Sequence, residues 1–234
     1  MKSAAVPRCS LVLMLVLASL WPGGAGAAND FSAAEQALFI DDQLAGLRPP
    51  LTLHYGFRKT GTLEESFDDK VDVVLTAQPD GRCCAASARF FSGARQVRQP
   101  EVEGAQGNPA ILYFLERDIR EMERLTKGKA NYFRKRIRMA VYQQASIRET
   151  MLPYRGRPVA VREISISPYL DDPNRPRYEK LANKQYVFML AGAVPGGLYG
   201  IRTRIDGESA DAPVLMIEEM LITGAQPSLP KRQP

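Results

Sequence analysis

The sequence predicts an α+β or barrel-like fold built on an antiparallel sheet. Stretches of period-two residues follow one another with only turns between them, which argues against alternating β-α units. One long stretch, residues 109–127, has the three- and four-residue apolar spacing of an amphipathic helix. It falls between two groups of strands.

A first helix is expected from Ser32. Ser32-Ala33-Ala34-Glu35 is a capping box, in which the serine and the glutamate satisfy each other's backbone donors. This helix should run to about Leu44 and end near Gly46, before Arg48-Pro49-Pro50 forces extended chain. Leu51, Leu53, Tyr55 and Phe57 then alternate with polar residues. Thr60-Gly61 turns the chain, and Leu63, Phe67, Val71, Val73 and Leu75 continue on one parity. Pro79-Asp80-Gly81 is a second turn, and residues 83–91 read as a third strand.

Asn108 caps the long helix and Pro109 occupies its first position. Ile111, Leu115, Ile119, Met122 and Leu125 form its apolar stripe. Glu116, Asp118, Glu121 and Glu123 interleave with Arg117, Arg120 and Arg124, the look of a solvated, salt-bridged face. Residues 132–142 alternate again and are expected as a strand, with Arg134, Arg136 and Arg138 on one face. The chain reverses at Tyr154-Arg155-Gly156-Arg157-Pro158, and residues 159–169 should be the partner strand. A helical turn near residues 178–183 and a strand at 184–190 follow. Val194-Pro195-Gly196-Gly197 suits a type II turn between that strand and the next. Residues 198–206 and 214–222 are the last strands, and residues 226–234 a disordered tail.

The first residues match a cleavable export signal. Lys2 and Arg8 are its cationic part, residues 11–21 its apolar run, and Ala25-Gly26-Ala27 its cleavage site. An apolar run this short does not span a bilayer, so no transmembrane helix is expected after cleavage. The mature chain, residues 28–234, should hold one globular domain over 28–225 and lie in the periplasm or outside the cell. Loss of two cations takes the net charge from +5 to +3. That balance, with export, argues against nucleic acid as a partner.

Cys83 and Cys84 are the cysteines left after cleavage. In an oxidising compartment they are a candidate redox pair, open to reading as buried thiols, a vicinal disulfide or an intermolecular bond.

No catalytic or metal motif is evident. His54 is the sole histidine, so any triad would have to use it. Asp171-Asp172-Pro173-Asn174 lacks the glycine and distal glutamate of a calcium loop. No cofactor is expected. Arg134, Arg136 and Arg138, repeated in Arg202 and Arg204, are candidate contacts for an anionic partner, because guanidinium forks suit phosphate and carboxylate.

The order of elements resembles exported proteins of the lipoprotein-carrier half-barrel type, and an uncharacterised family of exported bacterial proteins that shares that plan. The resemblance covers most of residues 51–222. It rests on the long helix between two strand groups and the late hairpin at Val194-Pro195-Gly196-Gly197. It implies a strongly curved sheet with the long helix packed against it, and a lipid or lipid-linked ligand between the two. The expected function is therefore non-catalytic binding of an apolar or amphipathic envelope ligand. The alternative is an envelope assembly protein using its arginine-bearing strands, and behind it a hydrolase assembled from distant residues.

Overall fold

The structure, a computed structural model, describes residues 31–78, 83–209 and 211–226. The expected export signal, the expected turn at 79–81 and residues 227–234 of the expected tail lie outside the described residues.

Nine strands make one sheet: β1 Leu51–Thr60, β2 Phe67–Ala77, β3 Cys83–Phe90, β4 Val97–Arg98, β5 Ser146–Tyr154, β6 Arg157–Ile166, β7 Gln185–Leu190, β8 Leu198–Ile205 and β9 Met216–Ile222. Their order is β4-β3-β2-β1-β9-β8-β7-β6-β5. Every neighbouring pair is antiparallel, and the sheet stays open, with β4 and β5 at its edges. This is the α+β antiparallel layout the strand runs predict.

Period-two patterning sets which face is inside. Leu53, Tyr55 and Phe57 of β1 are buried while His54, Gly56 and Arg58 are exposed. Following the register, one apolar row crosses the core face: Phe57, Met220, Ile201, Phe188, Ile164 and Ile147. All are buried except Ile147, at the β5 edge, which is 42% exposed. One step along the strands lies a polar row, Lys59, Glu218, Thr203 and Tyr186.

Helix α1 begins with the expected capping box: Ser32 N donates to Glu35 Oε2 at 2.9 Å and Glu35 N to Ser32 Oγ at 3.2 Å. It is shorter than predicted. Its α-helical turn Ala33–Glu35 passes into a π-helical turn, Gln36–Ile40, and stops at Asp41. Two consecutive aspartates oppose the negative end of the helix dipole and favour local backbone bonding over helix. Helix α2, Pro109–Thr126, has the predicted cap: Asn108 Oδ1 accepts from Ala110 N at 3.0 Å. Ile111, Phe114, Leu115, Ile119 and Met122 are buried.

The predicted strand at 132–142 is a helix, α3, Ala130–Gln143. Phe133, Ile137, Ala140 and Val141 are its buried face, so four-residue apolar spacing overrides the parity of the arginines. On a helix, residues two apart point about 200° away from each other. Arg136 therefore leaves Arg134 and Arg138, and no three-arginine strand face exists. The partner of β6 is instead β5, joined by the turn placed correctly at Arg155-Gly156. The helical turn Glu179–Asn183 and strands β7, β8 and β9 stand where expected.

Candidate functional site

Lys184, Asp118, Glu218 and Lys59 lie in the dry layer between α2 and the sheet, each at most 5% exposed. Lys184 Nζ donates to Asp118 Oδ1, and Tyr186 Oη donates to Asp118 Oδ2 at 2.6 Å. Arg117 donates to Glu218 Oε1 at 2.8 Å while its guanidinium lies over the Phe57 ring, 5.0 Å from the centroid. Lys59 bonds Glu64, which also receives Arg124. Burial would push the Glu218 carboxyl up, yet Arg117, Lys184 and Lys59 outweigh it and hold it at about 2. Burial, with the Asp118 charge beside it, pushes the Tyr186 phenol well up. Every charge has an opposite neighbour and the Asp118 and Glu218 carboxylates are wholly buried, so the network fixes α2 on the sheet rather than meeting a substrate.

The accessible site lies where the helices leave the core face uncovered. A cleft of about 720 Å³ opens between the segment after α1, the hairpin joining β7 to β8, and the β5–β6 end of the sheet. Asp41, Asp42, Glu149, Ala160, Arg162 and Leu190 line it. Glu149 faces Arg162 across the register, and Arg162 Nε donates to Glu149 Oε1 at 2.9 Å. Met151 pairs with Ala160 on the same face and is 58% exposed. The apolar row that begins at buried Phe57 thus surfaces beside this cleft, at Ile147.

Three elements meet behind the cleft at one buried side chain. Asn108 Nδ2 donates to Tyr55 Oη at 3.0 Å and to Gly196 O at 2.8 Å, and Asn108 N donates to Gln43 Oε1 at 2.9 Å. The hairpin turn has the predicted type II form. Gly197 N donates to Val194 O at 3.0 Å, and Gly196 takes a φ of +72°. A Cβ at Gly196 would meet Asn108 Nδ2 and Leu53 Cδ1 at 2.8 Å, so this position needs glycine on both counts.

The sequence-derived candidates lie elsewhere. Arg134 makes a fork with Glu116, both bonds 2.8 Å. Arg136 Nε donates to Pro168 O at 3.1 Å and lies 3.1 Å from buried Asp172 Oδ2, while Arg138 is exposed on α3. Arg202 and Arg204 stand on β8 as expected, with Glu219 against the first and Asp206 Oδ1 2.7 Å from Arg204 Nε. Cys83 and Cys84 open β3 with their sulfurs paired, Cys84 buried and Cys83 half-buried. His54 is on the outer face, its Nδ1 2.8 Å from Asp72 Oδ1. Asp172 Oδ1 accepts from Asn174 N at 2.7 Å, an Asx turn, and from Tyr132 Oη at 2.7 Å. Among the described residues no group of three His, Cys, Asp or Glu could hold a metal ion, and no helix is long and apolar enough to cross a membrane.

No protein-family model matches the chain, and no curated protein matches its sequence. Among solved structures, the chain is similar to the Mycobacterium tuberculosis lipoprotein LppX at 9% identity, covering 77% of this chain and 89% of that one, with a TM-score of 0.31. It is similar to a chain of the Pseudomonas aeruginosa MucA/MucB complex at 14% identity, covering 86% of this chain and 58% of that one, with a TM-score of 0.30. A LolA superfamily protein from Nitrosomonas europaea matches at 10% identity, covering 85% and 92%, with a TM-score of 0.19. Likenesses this distant carry no function, which is read from the site itself.

Proposed function

We propose that the protein is a non-catalytic, exported protein that binds an apolar or amphipathic envelope ligand in the cleft at the β5–β6 end of the sheet. One observation carries the reading. The apolar core face is continuous from Phe57 to Ile147 and comes to the surface beside the cleft, where Met151 and Ile147 are exposed. A volume of about 720 Å³ falls within the roughly 300–1,000 Å³ of small-molecule sites. The apolar part of the ligand lies along Ala160 and Leu190. Its polar end meets Arg162, Glu149 and the aspartates at 41 and 42. The export signal at residues 1–27 is what supports an envelope ligand. Lys135 and Arg138, exposed on α3, are the part of the basic cluster left to an anionic partner.

Ala160 is exposed on a strand, so Ala160→Trp fills the cleft while leaving the fold intact. The delipidated wild type is expected to bind a fluorescent long-chain acyl probe that the variant binds at least tenfold more weakly. Equal binding by both would place the probe outside the cleft.

A further inference from the structure

Strand β5 ends the sheet, and among the described residues no strand pairs with its outer edge. Arg155 and Gly156 both have positive φ, +49° and +77°, the type I′ geometry of a two-residue hairpin. Tyr154 and Arg157 are then a hydrogen-bonded pair, and alternate residues back along β5 bond to β6. Ile147, Glu149 and Met151 therefore turn their N–H and C=O groups away from the sheet. Pro153 obeys the same parity, its carbonyl accepting from Tyr199 Oη at 2.8 Å. Beyond it the edge is taken: Tyr154 bridges Ala225, and Arg155 N donates to Gly224 O at 2.8 Å. Between Ile147 and Met151 the outward groups have no backbone partner among the described residues.

We propose that this edge pairs with the same edge of a second copy of the chain, antiparallel about a twofold axis perpendicular to the sheet. Such an axis keeps like faces together, so residues pair across it with others of the same parity. Centred on Glu149, the register sets Ile147 opposite Met151 of the second copy at both ends of the seam. All three pairs belong to the outward-turned class and can form six N–H···O=C bonds, two per pair. Ile147 and Met151, 42% and 58% exposed, then cover each other. Centred on either neighbouring residue, the seam would set Glu149 against an apolar side chain. The two Glu149 carboxylates that meet at the axis each keep Arg162 as a partner.

This self-complementarity selects a second copy as the occupant. The opposite edge offers nothing comparable, because β4 has two residues. Pairing brings the two clefts together on one side of a continuous sheet. The proposal stands independently of the ligand reading, since it uses backbone groups and not cleft volume.

Sedimentation of the full mature chain is expected to show a concentration-dependent dimer. At the axis the Cα atoms of the two Glu149 residues come within about 5.5 Å, inside the roughly 4.4–6.8 Å that a disulfide spans. Oxidised Glu149→Cys should run as a covalent dimer on a non-reducing gel, whereas Arg148→Cys and the wild type should not. Ile147→Lys with Met151→Lys sets like charges opposite and should sediment as a monomer. Ile147→Lys with Met151→Glu sets opposite charges there and should restore the dimer. A wild type that stays monomeric at about 1 mM chain, a free energy of no more than about 4 kcal/mol, overturns the proposal. So does a dimer that Glu149→Cys fails to cross-link, or one that captures an unrelated strand peptide at the β5 edge in preference to itself.

Discussion

Lys184 and Asp118 form an ion pair in which both side chains are almost wholly buried, one at the entry to β7 and the other in the middle of α2. Tyr186 completes the carboxylate's shell from the next strand position. Removing one partner strips the other of its nearest opposite charge in a dry setting, leaving Lys184 only the longer 3.7 Å contact to Glu218 Oε2, and costs about 3–5 kcal/mol. Asp118→Ala and Lys184→Met should each lower stability by that amount in urea titrations. Asp118→Ala combined with Lys184→Met should cost clearly less than the sum of the two, because neither member of the buried pair is left behind. Strict additivity would mean that the pair does not interact.

Acid should loosen α2 from the sheet. The Glu218 carboxyl is held at about 2 against an ordinary 4.5, since its cations outweigh the burial that would raise it. Glu121 is likewise held at about 2, Arg124 and Arg117 outweighing its burial. Both values are lower folded than unfolded. Their stabilisation is therefore fully present above about pH 4.5 and is lost as pH falls toward 2. Melting temperature should be flat from neutrality to about pH 5, then fall, and Glu218→Gln should flatten part of that fall.

Asn108 ties together three elements behind the cleft. Asn108→Ala removes a helix cap, at about 1 kcal/mol. It also leaves Gly196 O without its Asn108 donor in a buried setting, at roughly 1–3 kcal/mol more. Thermal unfolding should show the combined loss. Asn108→Asp should recover the cap component alone, because it keeps the acceptor and lacks the donor amide.

The arginines of α3 should divide by burial. Arg134→Gln breaks an exposed pair with Glu116 and should cost no more than about 1 kcal/mol. Arg136→Gln strips buried Asp172 of its cation and should cost clearly more. Equal, negligible effects in denaturant titrations would show that the Asp172 contact contributes nothing.

Much of the sheet was legible because most strands carry one apolar parity, and α2 because its cap and stripe agree. The residues of β5 were missed for a physical reason. An edge strand exposed on both faces has no apolar alternation to read, and Ile147, Glu149 and Met151 share one face. Residues 132–142 satisfied both periods, and the apolar one decided. The buried charges also carry a signal in the sequence. Asp118 follows Ile111, Phe114 and Leu115 at stripe spacing, and Glu218 shares parity with Met216 and Met220. A charge at an apolar position of its own pattern predicts a buried, partnered group, whereas counting alternating signs along a helix predicts solvation. Cleft residues such as Asp41, Ala160 and Arg162 come from separate segments that only the sheet order brings together.

The most direct test of ligand binding is mass spectrometry of the protein purified from exporting cells, under conditions that preserve non-covalent complexes, before and after solvent extraction. The account predicts a mass above that of the mature chain, lost on extraction, with an apolar-chain molecule recovered in the organic phase and absent from Ala160→Trp. A wild type that shows the bare mass throughout, and takes up no lipid when incubated with an envelope lipid extract, would contradict it.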